Sequence, residues 1–441
     1  MLALAGLVAI GGCANPVTGP SETASPEPTS AAAKLPPSIP AKGDVLIAGG
    51  VTGTGIATHT LATAEFFDPA KEEFLPTHSM ATSRAGGALA VLSPGKAIAM
   101  GGFTGGATVA GFTLGISGTV TAGAEIFDEL TGEFSNAAAM GSPRVGFTAT
   151  TLKNGKVLIA GGIDAAATVL DTAEIYDPAT GKFSPVNGPM SDHRVLHSAT
   201  LLDSGRVLIA GGVTNLSGEA ANTADLYDPA TNSFSQTRSL MDHERAGHTA
   251  TLLGPGPMAG DVLITGGGGG SGVFLKDSSA EIYDPASQQF TLLTSFLNEA
   301  RSLDTATLLD NGTVLIAGGF NGSVVVAGGS LSGALGSISN SAEIFDPATG
   351  DFTCVGGFNS TTMRCAPELG AARAADTATL MTAGPLKGAV LIAGGIGGTN
   401  PDAPGYPLSS AILFNPANGG SFSKAGYMTV PRAFQSATLL N

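Results

Sequence analysis

Seven arginines occupy one place in a repeated phrase: Arg84, Arg144, Arg194, Arg245, Arg301, Arg373 and Arg432. Each opens a short run such as RVLHSATLL (194–202) or RAGHTATLL (245–253). A guanidinium presents a planar fork of donors that can hold a carboxylate or sulfate bidentately, so the set suits an acidic ligand. A second repeated phrase carries an acid at Glu65, Glu125, Glu174, Asp225, Glu281 and Glu343, with Ile412 in the remaining place. Acids nearly matching arginines also read as a repeated structural ion pair, because specific ligand sites break repeat symmetry. Ile412 stands just before Arg432. Arg432 is therefore the arginine expected to lack an acid, and the best single ligand contact.

Four of the six histidines sit in two neighbouring copies: His193 and His197 beside Asp192, and His243 and His248 beside Asp242. His197 and His248 share a repeat position, three residues after the arginine. Imidazole beside carboxylate can bind zinc or carry protons. Here the spacing begins on a loop, where it fixes no shared face, so no metal is expected. The two histidines join the arginines as ligand-binding candidates. Gly266 to Gly270 lack the Gly-Lys-Ser/Thr ending and the following helix of a phosphate loop. No GxSxG elbow occurs. Neither a catalytic constellation nor a cofactor is expected.

The elements that place these groups are short strands. An apolar run ending in Gly-Gly recurs seven times: DVLIAGG (44–50), KAIAMGG (96–102), KVLIAGG (156–162), RVLIAGG (206–212), DVLITGG (261–267), TVLIAGG (313–319) and AVLIAGG (389–395). A phrase such as AEIYDPA follows each, closed by Phe74, Phe134, Phe183, Phe234, Phe290, Phe352 or Phe422. Apolar and aromatic runs bounded by Asn-Gly or DPATG turns signal strands joined by tight turns. Each unit thus supplies four antiparallel strands, which are the arginine strand, the Gly-Gly strand, the AEIYDP strand and the Phe strand.

Four-stranded units repeated at this spacing indicate β-propeller blades. The Gly-Gly dyad followed by an aromatic pair resembles the kelch repeat over residues 43–441, with Phe where that pattern has Trp. The resemblance implies an all-β, seven-bladed kelch-type propeller. Its ring would close by pairing the C-terminal strand, Arg432 to Leu440, with the first Gly-Gly strand, leaving no open sheet edge. In kelch propellers the first strand is innermost, so the arginines would ring the channel mouth. One face would carry tight turns. The other would carry the long segments 103–120, 163–170, 213–221, 268–277, 320–339 and 396–408, and the insertion between Cys354 and Cys365. Variable loops on a rigid scaffold are where function usually sits.

Composition agrees. The 441 residues include 64 Gly and 26 Pro, which disfavour helices, and the 43% hydrophobic fraction suffices for a core. A net charge of −15 repels phosphate backbones, so nucleic acid is a poor partner. No apolar run approaches the ~18 residues of a membrane-spanning helix.

Residues 1–13 (MLALAGLVAIGGC) resemble the signal segment and lipobox of bacterial lipoproteins, which would put a lipid on Cys13. No Lys or Arg precedes the apolar run, a departure from the signal-peptide pattern. Residues 14–42 are Pro-, Ser-, Thr- and Ala-rich and read as a tether, with the propeller at 43–441. Export to the cell envelope follows, with the membrane met only through the lipid. Ala14-Asn15 favours the outer membrane or cell surface. In an exported protein Cys354 and Cys365 would pair.

Propellers host many functions, so the fold alone selects none. The expected function is a monomeric binding module that recognises a glycan or an envelope or extracellular protein through the loop face. The alternatives are a carbohydrate-active enzyme of the sugar-epimerase kind and a structural subunit of an envelope assembly. Some kelch propellers oxidise sugars with copper held by Tyr and His. Of the five Tyr here, Tyr176, Tyr227 and Tyr283 fall at packing positions, leaving Tyr406 and Tyr427, so such an oxidase is not expected.

Overall fold

A VLIA run is apolar on both sides, and a strand of that kind is stable only when covered on both faces. Val45–Ala48, Val157–Ala160, Val207–Ala210, Val314–Ala317 and Val390–Ala393 are buried throughout. Each is the second strand of a four-stranded antiparallel blade, and seven such blades form a propeller. The structure, a computed structural model, describes residues 37–440 apart from 55–56, 111–112, 117, 271–272, 322, 328–329, 336–337, 363 and 399–405. Cys13 and most of the expected tether lie outside the described residues.

Blades are numbered by their Gly-Gly strands. In blade 3, Val157 pairs with Thr151 of the inner strand and with Tyr176 of the third strand, and Tyr176 pairs with outer Phe183. Those two rings lie 4.8 Å apart and tilted. A tilted aromatic pair recurs at this place in every blade, with Phe67–Phe74 in blade 1 and Phe414–Phe422 in blade 7. The aromatic pair closes the outer edge of each blade without an indole.

Apolar cores then form between neighbours. Leu208, Ala210 and Leu226 of blade 4 pack on Val262, Ile264 and Tyr283 of blade 5. Each fully buried aliphatic side chain contributes about 1.5–3 kcal/mol. The ring closes as expected: Val45 pairs with Leu439 and Ala48 with Ser436, so blade 1 takes its inner strand, Ser436–Leu439, from the C-terminal end.

The glycine dyads join blade to blade. Both residues of each dyad have positive φ, as in Gly161 (65°) and Gly162 (95°). The second glycine donates its N–H to the carbonyl of the next blade's arginine, as in Gly162 to Arg194 (2.8 Å) and Gly395 to Arg432 (2.9 Å). A Cβ on Gly161 would collide with that same carbonyl oxygen. Dyad and arginine thus recur together because their backbones touch.

On the loop face, described strands of the long segments pair with one another. Val51–Thr54, Ala57–Thr60, Gly106–Ala110, Thr113–Ile116, Ser330–Leu335, Ser323–Ala327, Val273–Lys276 and Gly268–Gly269 pair in that order as one eight-stranded sheet. It joins blades 1 and 2 to blades 6 and 5. Blades 3 and 4 contribute short loops, closed by the bridges Ile163–Val169 and Val213–Ala220. Residues 38–44 enter on the opposite, turn-bearing face. Ser38 N–H donates to Pro76 (2.7 Å), and Gly43 N–H donates to Leu440 (2.7 Å).

Candidate ligand-binding site

The seven arginines recur in one setting. Each begins an inner strand and folds back into its own blade. Arg84 Nη1 donates to Gly101 O (2.9 Å) and Nη2 to Glu125 (2.8 Å). Arg144–Glu174 (3.2 Å), Arg194–Asp225 (2.9 Å), Arg245–Glu281 (2.7 Å) and Arg301–Glu343 (3.0 Å) repeat the pattern. Each acid also accepts from the segment before its arginine, as Glu125 does from Ala81 N–H (2.6 Å) and Thr82 N–H (3.1 Å). The pair is a buckle that ties the incoming link to the third strand.

Arg432 overturns its expectation. In each blade the acid follows its arginine, so Ile412 belongs with Arg373, and Arg432 closes the ring onto Glu65 at 2.6 Å. Arg373 is the arginine without an acid. Its Nη1 donates to Gly394 O (3.1 Å) and Ser410 O (3.3 Å), and its Nη2 to Ser410 Oγ (3.3 Å). Burial draws its pKa down, opposed by the nearby Asp376. All seven arginines are buried, so none presents a fork at the channel mouth.

The histidine pair is buried as well. His197 Nε2 lies 2.9 Å from Thr148 Oγ1 of the preceding blade, and His248 Nε2 lies 2.9 Å from Ser198 Oγ. Desolvation, helped by Arg194 and Arg245 respectively, pulls both rings down to about 3, so they are neutral at ordinary pH. The more exposed histidines pair differently from their sequence neighbours. His243 Nδ1 meets Asp277 at 2.8 Å, and His193 lies 3.6 Å from Asp171.

Two acids escaped the sequence reading. Asp304 and Asp376 occupy the repeat position of His197 and His248, three residues after Arg301 and Arg373. Burial pushes Asp304 up to about 7 and Asp376 up to about 6. That shared position was the signal that could have found them.

What breaks the symmetry on the loop face is the insertion after blade 6. Cys354 and Cys365 are bonded, with Cα atoms 5.2 Å apart, and Phe358–Asn359 pairs with Arg364–Cys365 as a small hairpin. Glu299, from the link into blade 6, pins this hairpin down. Its Oε1 accepts Cys365 N–H (3.0 Å) and its Oε2 accepts Ser339 Oγ–H (3.1 Å). Between hairpin and blade lies a cavity of about 770 Å³, lined by Asn321, Asn340, Asn359, Phe358, Arg364 and Glu299 among others. That volume falls within the ~300–1,000 Å³ of ordinary ligand sites. Phe358 is 46% exposed, and Arg364 makes no ion pair among the described residues. Amides and hydroxyls that both donate and accept, beside an open aromatic face, can hold a polyhydroxylated ring.

The kelch-motif family model matches residues 143–190, which is blade 3 almost entire. Among solved structures, the chain resembles a fungal alcohol oxidase of the AA5 family in complex with copper. The two share 19% identity over 83% of this chain and 71% of that one, with a TM-score of 0.58. It also resembles YjhT, at 16% identity over 77% of this chain and 97% of that one, with a TM-score of 0.53. No curated protein matches. At these identities the likeness is one of fold. Among the described residues no three His, Cys, Asp or Glu gather for a metal. Tyr176, Tyr227 and Tyr283 are buried in the aromatic pairs.

Proposed function

Since this chain is a seven-bladed kelch-repeat β-propeller, we propose that it is a ligand-binding module that takes a glycan in the disulfide-braced cavity of its loop face. The observation that carries this reading is the cavity. It is the place where a large pocket lined by several amides, a braced wall and an exposed aromatic ring coincide, and it departs from the repeat. Amide side chains can meet sugar hydroxyls from either direction, and Phe358 offers a surface for the apolar face of a pyranose. A glycan array probed with the full chain tests it. Hits lost in Phe358→Ala and Asn340→Ala support the reading. A blank array, with an envelope protein captured instead through the same residues, would replace it.

A second reading rests on His243. Its Nδ1 is held at 2.8 Å by Asp277, which also accepts Ser279 Oγ–H at 2.8 Å. A half-exposed imidazole oriented by a carboxylate is suited to proton transfer on the same face. Sugar turnover followed by NMR, abolished in His243→Ala, would establish an enzyme.

Lipid attachment at Cys13 and residence at the cell envelope belong to the same proposal. The lipobox-like segment supports them, as does a disulfide, which persists in oxidising compartments. Cys13→Ala should move the chain from the membrane fraction to the soluble one.

A further inference from the structure

The inner strands neighbour one another in a closed ring. Each places one residue, three after its arginine, in a belt: Gly87, Phe147, His197, His248, Asp304, Asp376 and Gln435. In the histidine arc Nε2 of each imidazole is met sideways, while its Nδ1 has no hydrogen-bond partner. The hydroxyl that follows one belt position meets the imidazole of the next, Thr148 with His197 and Ser198 with His248.

The neighbouring arc does not follow that rule. Thr305 stands in the place of Thr148 and Ser198, with Asp376 next in the belt, yet Thr305 Oγ1 has no partner. Both carboxylate oxygens of Asp304 and of Asp376 are also without partners. Gln435 donates from Nε2 to Ala393 O (2.8 Å) and leaves its Oε1 unpartnered. Asp304, Asp376 and Gln435 are only 8%, 9% and 7% exposed.

The arc therefore holds six unpartnered oxygens against two unpartnered nitrogens, the Nε atoms of Arg373 and Arg432. The Nη groups of the two arginines beside the carboxylates are committed elsewhere. Arg301 is bound to Glu343 at 3.0 Å, and Arg373 to Gly394 and Ser410. Neither forms an ion pair with Asp304 or Asp376. An uncompensated buried carboxylate is costly, so it either keeps a proton or takes a counter-ion.

We propose that Asp304, Thr305, Asp376 and Gln435 form a binding site for a hard cation where blades 6, 7 and 1 meet, and that calcium is its best fit. Carboxylates, an amide oxygen and a hydroxyl are the ligands calcium prefers, and its 6–8 oxygen coordination tolerates irregular placement better than magnesium does. Two of these three blades, 6 and 7, are those whose link builds the cavity, although the site does not depend on that cavity.

Calorimetric titration and thermal melting of the full chain test this at pH 7.5, after EDTA treatment and with calcium or magnesium chloride added back. One calcium should bind, and the melting temperature should rise by about 5 °C or more at saturating ion. Gln435→Ala should weaken binding several-fold with the fold retained, and Asp304→Asn/Asp376→Asn should abolish it. If neither ion binds, the proposal fails. It fails equally if the melting temperature falls between pH 5 and pH 8 by the same amount with and without calcium, because protons then occupy the site.

Discussion

Blades 3 and 4 and blades 6 and 7 are built from the same phrases and differ in nearly everything added to them. In blades 3 and 4 the arginine buckles are complete, the loops are short, and the hydroxyls of Thr148 and Ser198 each meet the histidine of the next blade. In blades 6 and 7 the last arginine has no acid, the belt carries unpartnered carboxylates, and a disulfide hairpin covers a cavity. Repetition in every blade marks scaffold. Departures that accumulate in two adjacent blades mark the part of the ring free to specialise.

The largest test of that contrast is the buckle itself. Arg194→Met strands Asp225 as a buried charge and should cost about 3–5 kcal/mol in urea denaturation. Arg373→Met breaks no ion pair, so it should cost clearly less. Equal losses would show that the guanidinium works through its carbonyl contacts and that the missing acid is irrelevant. Next is the brace. Cys365→Ser frees the hairpin and should lower stability by about 2–3 kcal/mol or less while weakening ligand binding at least tenfold. Unchanged affinity would detach the cavity from the function.

The belt gives a pH test in EDTA. Asp304 and Asp376 have folded-state pKa values raised to about 7 and about 6, so the folded chain holds their protons more tightly than the unfolded chain. Stability from this source is full below about pH 4 and is lost as pH rises through 6 and 7. Asp304→Asn/Asp376→Asn should flatten that slope, whereas His197→Asn, in the regular half, should leave it in place. The smallest effect is at Phe358. Phe358→Ala should leave the melting temperature within a degree or two while reducing affinity by about 1 kcal/mol, read by titration with an array hit.

Strand count, blade count and ring closure were legible because each rests on a phrase copied around the chain. The arginine–acid pairing was legible as a pairing, but its register was not. Ile412 lies between Arg373 and Arg432, and only the blade boundary says which of the two it belongs to. Asp304 and Asp376 were hidden by looking for like residues at like positions, since the belt holds a different side chain type in each arc. The cavity draws on Glu299, on Asn321, on residues 338–340 and on residues between 356 and 367, four segments that no local pattern connects. The eight-stranded sheet was invisible for a similar reason: Leu114 pairs with Leu331 across more than two hundred residues.

Both ends of the described chain reach the same face. Residues 38–44 enter beside the tight turns, and Leu440 N–H donates to Asp44 O (2.8 Å) at that end of the ring. The hairpin and its cavity are at the other pole of the axis. A propeller held by either end thus stands with its cavity directed away from its support, clear of whatever it is moored to. Immobilising the protein through a tag at either end should leave the cavity unobstructed.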